Sequence, residues 1–563
     1  MKIRLFPVFL FLCCCVVTTS VAQTQEDPLT KKVDQLFAAW DKPESPGAAI
    51  AIIKDGAIVY KRGYGSANLE YNVPITPQTV FHVASVSKQF TAFAIVLLAN
   101  QGKLSLDDDI RKHLPEVPDF GKKITIRHLI HHTSGLRDQW TLLGMAGWRL
   151  DDVITKEHIM KMVRHQKELN FDPGAENLYS NTGYTLLAVI VERVSGQSFR
   201  DYTEANIFKP LGMTNTHFHD DHEQIVKNRA YSYTSVGAAG GFKAAPLNYA
   251  NVGATSLFTT AEDLARWVIN FEDKKVGGAD VIKQMQQIGT LNSGKQLGYA
   301  FGLSIGPYRG LNTVGHAGGD AAYRSFVFWF PDQRFGVVAL SNFGSLNPQQ
   351  MAMKIADLYL ADKLAPEPPK PAAAERTAVK VDPAIFDAYA GRYLLDGRTL
   401  VTITKEDNKL MGQAAGESKS ELIPQSDTTF FVKTANSEVT FERDEKGNVV
   451  RFAMKNGTQS VSAKRLNAAP ATAAQLKEFA GDYYSPELGT TYTIVVKDGK
   501  LVAEHRRHDD IPLTELDGDL FSSNRWFFQM VQFTRDNEKR ITGFRLSSGR
   551  ARNVRFDRQA RGE

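Results

Sequence analysis

Three short clusters hold residue types able to do covalent chemistry. Ser85-Val86-Ser87-Lys88 puts a hydroxyl and an amine three positions apart, where an apolar run begins. A serine hydroxyl is a poor nucleophile at neutral pH and needs a neighbour that takes its proton as it attacks. Residues three apart on a helix share a face, and burial would lower the lysine's pKa toward that of a useful base. The Ser85 main-chain N–H, at the helix start, is placed to join an oxyanion hole. The second cluster, Tyr179-Ser180-Asn181, follows Pro173-Gly174 and precedes another apolar run. Taken alone it reads as an Asn181 N-cap with Tyr179 as a wedge. The third, His316-Ala317-Gly318-Gly319, leads into a strongly apolar strand. Paired glycines at a strand end admit close backbone approach; taken alone they read as a turn beside an exposed histidine.

The elements around these clusters are of mixed type. "PGAAIAIIKDGAIVYKRGYG" reads as two strands about a Lys54-Asp55-Gly56 turn. "KQFTAFAIVLLANQGK" is a buried helix, and "TGYTLLAVIVERVSG" another that ends at Gly196. Thr260 and Asp263 open a third at capping-box spacing. "RSFVFWFPDQRFGVVALSN" is a second hairpin turning at Pro331-Asp332. Strands at both ends with helices between predict one α+β domain with an antiparallel sheet over residues 28–364. A Pro/Ala-rich linker, 365–382, follows. The rest is strand pattern in two copies: "AYAGRY" at Ala388 returns as "EFAGDY" at Glu478, and "VTFERDEKGNVVRFAM" at Val439 returns as "VQFTRDNEKRITGFRL" at Val531. Two small antiparallel β units, barrels or sandwiches, are expected over 383–467 and 473–560.

Taken together and in this order, the three clusters resemble the class C serine β-lactamases and related penicillin-recognising serine hydrolases. Supporting phrases are "ITIRHLIHHTSGL", "IFKPLGMTNTHF" and "SLFTTAEDLARW". The resemblance implies a β-lactamase/transpeptidase-like domain, with the barrels lipocalin-like and the three-domain plan similar to D-aminopeptidases. It implies Ser85 as acylated nucleophile, Lys88 in its proton network, and Tyr179 as general base and then acid. Asn181 would hold the substrate's amide carbonyl and orient Lys88. The N–H groups of Ser85 and Gly319 would form the oxyanion hole, and His316 and Gly318 would line the substrate site. No barrel residue is assigned a catalytic role.

One departure bears on substrate. Where β-lactamases and carboxypeptidases of this family usually carry Lys-Thr-Gly, this chain has His316-Ala317-Gly318. An unperturbed histidine titrates at about 6.5, so the cation there is expected to be partial. Losing a fixed cation beside an anionic ligand costs about 1–3 kcal/mol. The expected function is therefore acyl transfer through an acyl-serine on short D-residue peptides or small esters. A β-lactamase or D-Ala-D-Ala carboxypeptidase is the alternative within the same chemistry, and a non-catalytic peptide- or penicillin-binding receptor the alternative outside it. Arg324, downstream, reads as a surface or ion-pair residue that could also replace the missing charge.

Composition excludes other classes. Hydrophobic residues make 43% and charged residues 23%, which describes a globular chain. Formal net charge is +5, of which Lys2 and Arg4 contribute two, so no nucleic-acid partner is implied. Residues 1–22 read as a secretory signal: basic "MKIR", an apolar run too short to span a bilayer, then "SVA". Export to the periplasm or outside the cell is expected, with no membrane attachment after cleavage. All three cysteines lie at Cys13–Cys15, so the processed chain would carry no thiol, no disulfide and no cysteine-ligated metal. "HFHDDH" at His217 reads as a polar loop rather than a metal site, and His131 and His132 as a helix cap or loop packing. "RWFFQMVQF" reads as barrel core. No cofactor is implied and oligomeric state is left open.

Overall fold

The computed structural model describes residues 28–237, 240–367, 379–397, 399–414, 417–456, 459–466 and 471–560. The expected signal segment and linker residues 368–378 lie outside these. Strands Ala48–Lys54 and Phe335–Ser341, from opposite ends of the first domain, pair antiparallel at the heart of one sheet. Its six strands run in the order 304–308, 311–320, 323–330, 335–341, 48–54, 57–64. The central strands are buried on both faces, which explains their continuous apolar runs. Ile50, Ile52, Phe328, Phe330 and Val337 face a layer formed by helices Pro28–Phe37 and Pro348–Tyr359. Ala49, Ala51, Val338 and Leu340 face the larger layer that carries the chemistry.

Helix Ser87–Asn100 runs through that layer, buried on nearly every side. It packs against Asn181–Ser195 and is anchored where Trp267 Nε1 donates to Gln89 Oε1 at 2.5 Å. Asn181–Ser195 ends at left-handed Gly196, as the sequence suggests, but its N-cap is Ser180, and Asn181 is its first helical residue. Thr260 caps Ala261–Asp273 by accepting from Asp263 N–H. The Asp263 carboxylate is drawn elsewhere, to Asn215 N–H and Thr216, so the reciprocal half of the box is not made.

Both repeats close into eight-stranded antiparallel barrels, spanning strands 391–466 and 481–558. The repeated phrases have a shared geometry. Tyr393 and Tyr483 each donate a hydroxyl hydrogen bond to the carbonyl four residues earlier, of Tyr389 and Phe479. Gly391 and Gly481 sit at φ 156° and 154°, a region open to glycine, with the guanidinium groups of Arg465 and Arg558 against them. Aromatic residues fill both interiors.

The barrels differ in what they join. The first has its own core and meets the second through Arg392, which donates to the carbonyls of Glu515 and Leu516, and through Leu400, Leu466 and Leu516. The core of the second is continuous with that of the first domain. Arg137 and Glu487, 1% and 4% exposed, form an ion pair across this junction at 2.6 Å. Tyr492 OH donates to Met145 O at 3.1 Å, and Phe527 lies so close to Gly144 that an added Cβ would sit 2.7 Å from it. "RWFFQMVQF" therefore divides: Phe528, Val531 and Phe533 fill the barrel, while its Trp526-Phe527 tip meets the first domain. Among the described residues no helix is long and apolar enough to cross a membrane.

Candidate active site

Ser85 lies in a single 3₁₀ turn, Ala84–Val86, that feeds straight into the Ser87–Asn100 helix. Ala84 is held at φ 48°, a strained value for a residue with a side chain. The turn is pinned by Ser87 Oγ, which donates to Ala84 O at 2.6 Å and accepts from Leu257 N–H at 3.1 Å. The helical register then brings Lys88 Nζ to 3.1 Å from Ser85 Oγ. Nζ also donates to Asn181 Oδ1 at 2.8 Å and to Ala254 O at 2.7 Å. All three acceptors are neutral, and Lys88 is fully buried. Desolvation lowers its pKa to about 7, against the upward pull of Asp320 and Asp138 and with the help of Arg550.

The Tyr179 ring is held between cations, with Lys88 Nζ 4.9 Å and Arg550 Cζ 4.6 Å from its centroid. Burial raises its phenol well above 10, opposed by Ser85 and Arg550. The hydroxyl faces Ser85 without closing a well-formed hydrogen bond to it. Asn181 is fixed by Asp138, whose Oδ2 accepts from its main-chain N–H at 2.7 Å and its Nδ2 at 2.8 Å. Its amide oxygen is thereby turned onto Lys88.

His316 differs from the exposed, partly charged residue that the sequence suggests. It is 6% exposed, and burial with the nearby Lys88 lowers its pKa to about 4, so it is neutral at pH 7. Its Nδ1 is 2.6 Å from Ala317 O; a carbonyl can only accept, so Nδ1 carries the proton and Nε2 accepts from Tyr299 OH at 3.1 Å. The glycines that follow lie within strand Leu311–Asp320, not in a turn. Strand 304–308 pairs only as far as Gly315, which leaves the 316–320 edge free toward the Ser85 turn. Gly318 permits this approach: a Cβ there would lie 2.3 Å from Val83 O and 2.4 Å from Ser325 Oγ. The structure thus brings Ser85, Lys88, Tyr179, Asn181, His316 and Gly318 together, with Gly319 next along the strand. Arg324 Nη1 donates to the carbonyls of Ala321 and Tyr323, and its guanidinium lies against Gly319.

Four further residues belong to this cleft. His132, at φ 58°, packs tilted on Tyr179 with ring centroids 4.1 Å apart and accepts from Ser180 N–H at 3.1 Å. Burial pushes its pKa well below 6.5, so it acts as neutral packing that positions the phenol. Asp138 holds Asn181. Asp320 accepts from Thr255 Oγ1 and lies 3.4 Å from His82 Nε2, and burial raises its carboxyl to about 6. Arg550 comes from the tip of the second barrel's hairpin 541–558. No barrel loop entering the site was legible from sequence; "SSGRAR" differs in no way from an ordinary polar turn. A signal existed only for Asp320, which follows the glycine pair directly. Elsewhere, His217 and His219 pack on Phe258.

Known proteins resemble this chain over most of its length. The family profile described as "Beta-lactamase" matches residues 33–361. A second, "Domain of unknown function (DUF3471)", matches 375–470. A penicillin-binding protein of Bacillus subtilis (strain 168) is 30% identical over 77% of this chain and 98% of its own. A D-aminopeptidase of Brucella anthropi is 24% identical over 92% of this chain and 96% of its own. The octameric penicillin-binding protein homologue from Pyrococcus abyssi superposes with a TM-score of 0.55 at 26% identity, covering 77% of this chain and 99% of that one.

Proposed function

We propose that this chain, which belongs to the β-lactamase family, is an exported serine hydrolase that cleaves short peptides bearing D-residues, or small esters, through an acyl-Ser85 intermediate. The observation that carries this reading is the 3.1 Å contact between Ser85 Oγ and a buried Lys88 Nζ whose pKa lies near 7. Such an amine is neutral often enough at pH 7 to accept the Ser85 proton as the oxygen attacks a carbonyl. Tyr179, with a phenol well above 10, is a poor resting base. Its part is to pass a proton between Ser85 and the leaving group, and Lys88 is the group that holds it. The N–H groups of Ser85 and Gly319 receive the developing oxyanion. Collapse of the tetrahedral intermediate expels the amine or alcohol with a proton; water then attacks the acyl-enzyme by the same route and regenerates Ser85.

The D-peptide reading is supported by the full-length similarity to the Brucella D-aminopeptidase, barrels included. A fluorophosphonate probe should label Ser85, and Ser85→Ala should abolish both labelling and turnover. D- and L-aminoacyl p-nitroanilides, p-nitrophenyl esters and nitrocefin then separate the substrate classes. Nitrocefin turnover exceeding that of the peptides and esters, and lost in Ser85→Ala, would favour a β-lactamase instead. Folded protein that no acylating probe labels at Ser85 would sink the reading altogether. Export is supported by the basic, apolar and small-residue order of residues 1–22. The processed protein should begin at or near Gln23, read by N-terminal sequencing of the extracytoplasmic fraction.

A further inference from the structure

The cleft has lost the cation on strand Leu311–Asp320, because His316 is buried and neutral. Another cation stands at the same cleft. The Gly549-Arg550 tip of the second barrel is held against the first domain by its main chain. Arg550 O accepts from Asp138 N–H at 3.2 Å and from Asn170 Nδ2 at 2.9 Å. Arg552 N–H donates back to Asn170 Oδ1 at 2.8 Å. Behind the tip, Ser548 Oγ donates to Trp526 O at 2.6 Å and Gly549 N–H to Gln529 Oε1 at 3.1 Å. The side chain is thereby laid over the Tyr179 ring, with Cζ 4.6 Å from its centroid.

Its guanidinium has no acidic partner among the described residues. Asp138 is taken by Asn181 and by Trp140 N–H, and Asp320 by Thr255, with His82 beside it. Three other arginines of this barrel reach the first domain, each with an acidic partner there: Arg545 with Glu168, Arg552 with Glu176, and Arg507 with Asp152. Arg550 alone among these four is both unpaired and turned over a catalytic ring. A guanidinium offers a planar fork of donors that fits a carboxylate with two hydrogen bonds.

We infer that Arg550 determines specificity at this active site: it receives a carboxylate of the substrate, and so selects acyl donors that carry one. This rests on the reading of Ser85 as nucleophile and deepens it by naming the substrate class. The second barrel is then part of the substrate site rather than an appendage. A peptide with a free C-terminus meets the requirement on the leaving-group side, and a dicarboxylic acyl group meets it on the acyl side.

The test compares matched substrates that differ by one carboxylate. On the acyl side, mono-p-nitrophenyl succinate is set against p-nitrophenyl acetate. On the leaving side, an N-acyl-D-alanyl thioglycolate is set against its methyl ester. The ratio of kcat/KM for the charged over the neutral member is read, so that any loss common to both cancels. In the intact protein that ratio should exceed one on at least one side and fall as salt is raised, since screening weakens a partly exposed ion pair. Arg550→Ala should lower it by about tenfold or more, Arg550→Glu further, and Arg550→Lys should restore part of it. A ratio that is the same in the intact protein and in Arg550→Ala on both sides overturns the inference. So does a ratio of one or less in the intact protein, which needs no variant to fold. If instead neither neutral member is hydrolysed and Ser85 resists the fluorophosphonate, it is the hydrolase reading that fails.

Discussion

At the scale of single residues, the proposed reaction turns on which group is deprotonated beside Ser85. Lys88 titrates near 7 and Tyr179 far above it. The expected pH dependence follows from that order. Below pH 7 Lys88 is an ammonium and cannot accept a proton, so kcat/KM for a neutral ester should fall about tenfold per pH unit. Above pH 7 it should level off. The Asp320 carboxyl, near 6, is already charged when Lys88 titrates and stabilises its ammonium. Asp320→Asn removes that support, lowers the lysine's pKa, and should move the acid limb to lower pH. A limb that stays in place, or moves up, contradicts this coupling. His316, near 4, should add no inflection between pH 5 and 8. The residues that the sequence singles out and the structure brings together are those whose own type suggests chemistry: Ser85, Lys88, Tyr179, Asn181 and His316. Asp138 and Arg550 were illegible because each acts through a partner distant in sequence, as Asp138 does on Asn181, 43 positions away, while His132 is packing, as read.

Elements set the distances that those residues need. The Ser85 turn and the free edge of strand Leu311–Asp320 are packed together through Gly318, where a Cβ would lie 2.3 Å from Val83 O. Main-chain atoms cannot yield as a flexible side chain can, so Gly318→Ala must push the strand from the turn. In the proposed reaction, moving the Ser85 and Gly319 N–H groups apart by a few tenths of an ångström is expected to slow Ser85 acylation by about a hundredfold or more. Gly306→Ala, on the neighbouring strand, meets no atom within 4 Å and should act at most weakly. Stopped-flow acylation of both variants by one chromogenic ester checks the contrast; equal rates would remove Gly318 from this role. The elements themselves were well marked in the sequence. Apolar runs gave the helices and strands, Gly196 gave a helix end, and Pro331 gave the hairpin turn between strands 323–330 and 335–341. What failed was the fine placement of Asn181 and the glycine pair. Ser180 holds the N-cap position without a side-chain capping bond, because Asp138 accepts from the Asn181 N–H in its place, and the pair continues a strand because that strand's partner persists to Tyr323.

Over the whole molecule, the two barrels repeat one sequence pattern and do different things. Periodicity showed two antiparallel β units, because alternation is a local property; that both close into barrels is seen only in the structure. It did not show that only the second shares a core with the first domain, because that depends on which surface residues meet across some hundreds of positions. The junction is organised around Arg137 and Glu487, 350 residues apart and both buried. Arg137 also donates to Arg552 O at 3.0 Å, two residues from Arg550, while the next residue along, Asp138, holds Asn181. One ion pair therefore ties the barrel to the residue that orients Lys88. Glu487→Ala strands a buried guanidinium, and such a loss costs about 3–5 kcal/mol. Glu168, at 3.7 Å from Arg137, offsets part of it, which places the expected loss toward the lower end. Glu421→Ala breaks an exposed pair with Lys409 in the first barrel and should change stability by about 0–1 kcal/mol. Urea denaturation of the two variants measures the difference. The same Glu487→Ala protein should also label more slowly at Ser85 and lose part of its preference for carboxylate substrates, because Asp138 and Arg550 shift together. If it were destabilised but kept both its labelling rate and that preference, the junction would only hold the domains together and the barrel would have no part in the chemistry.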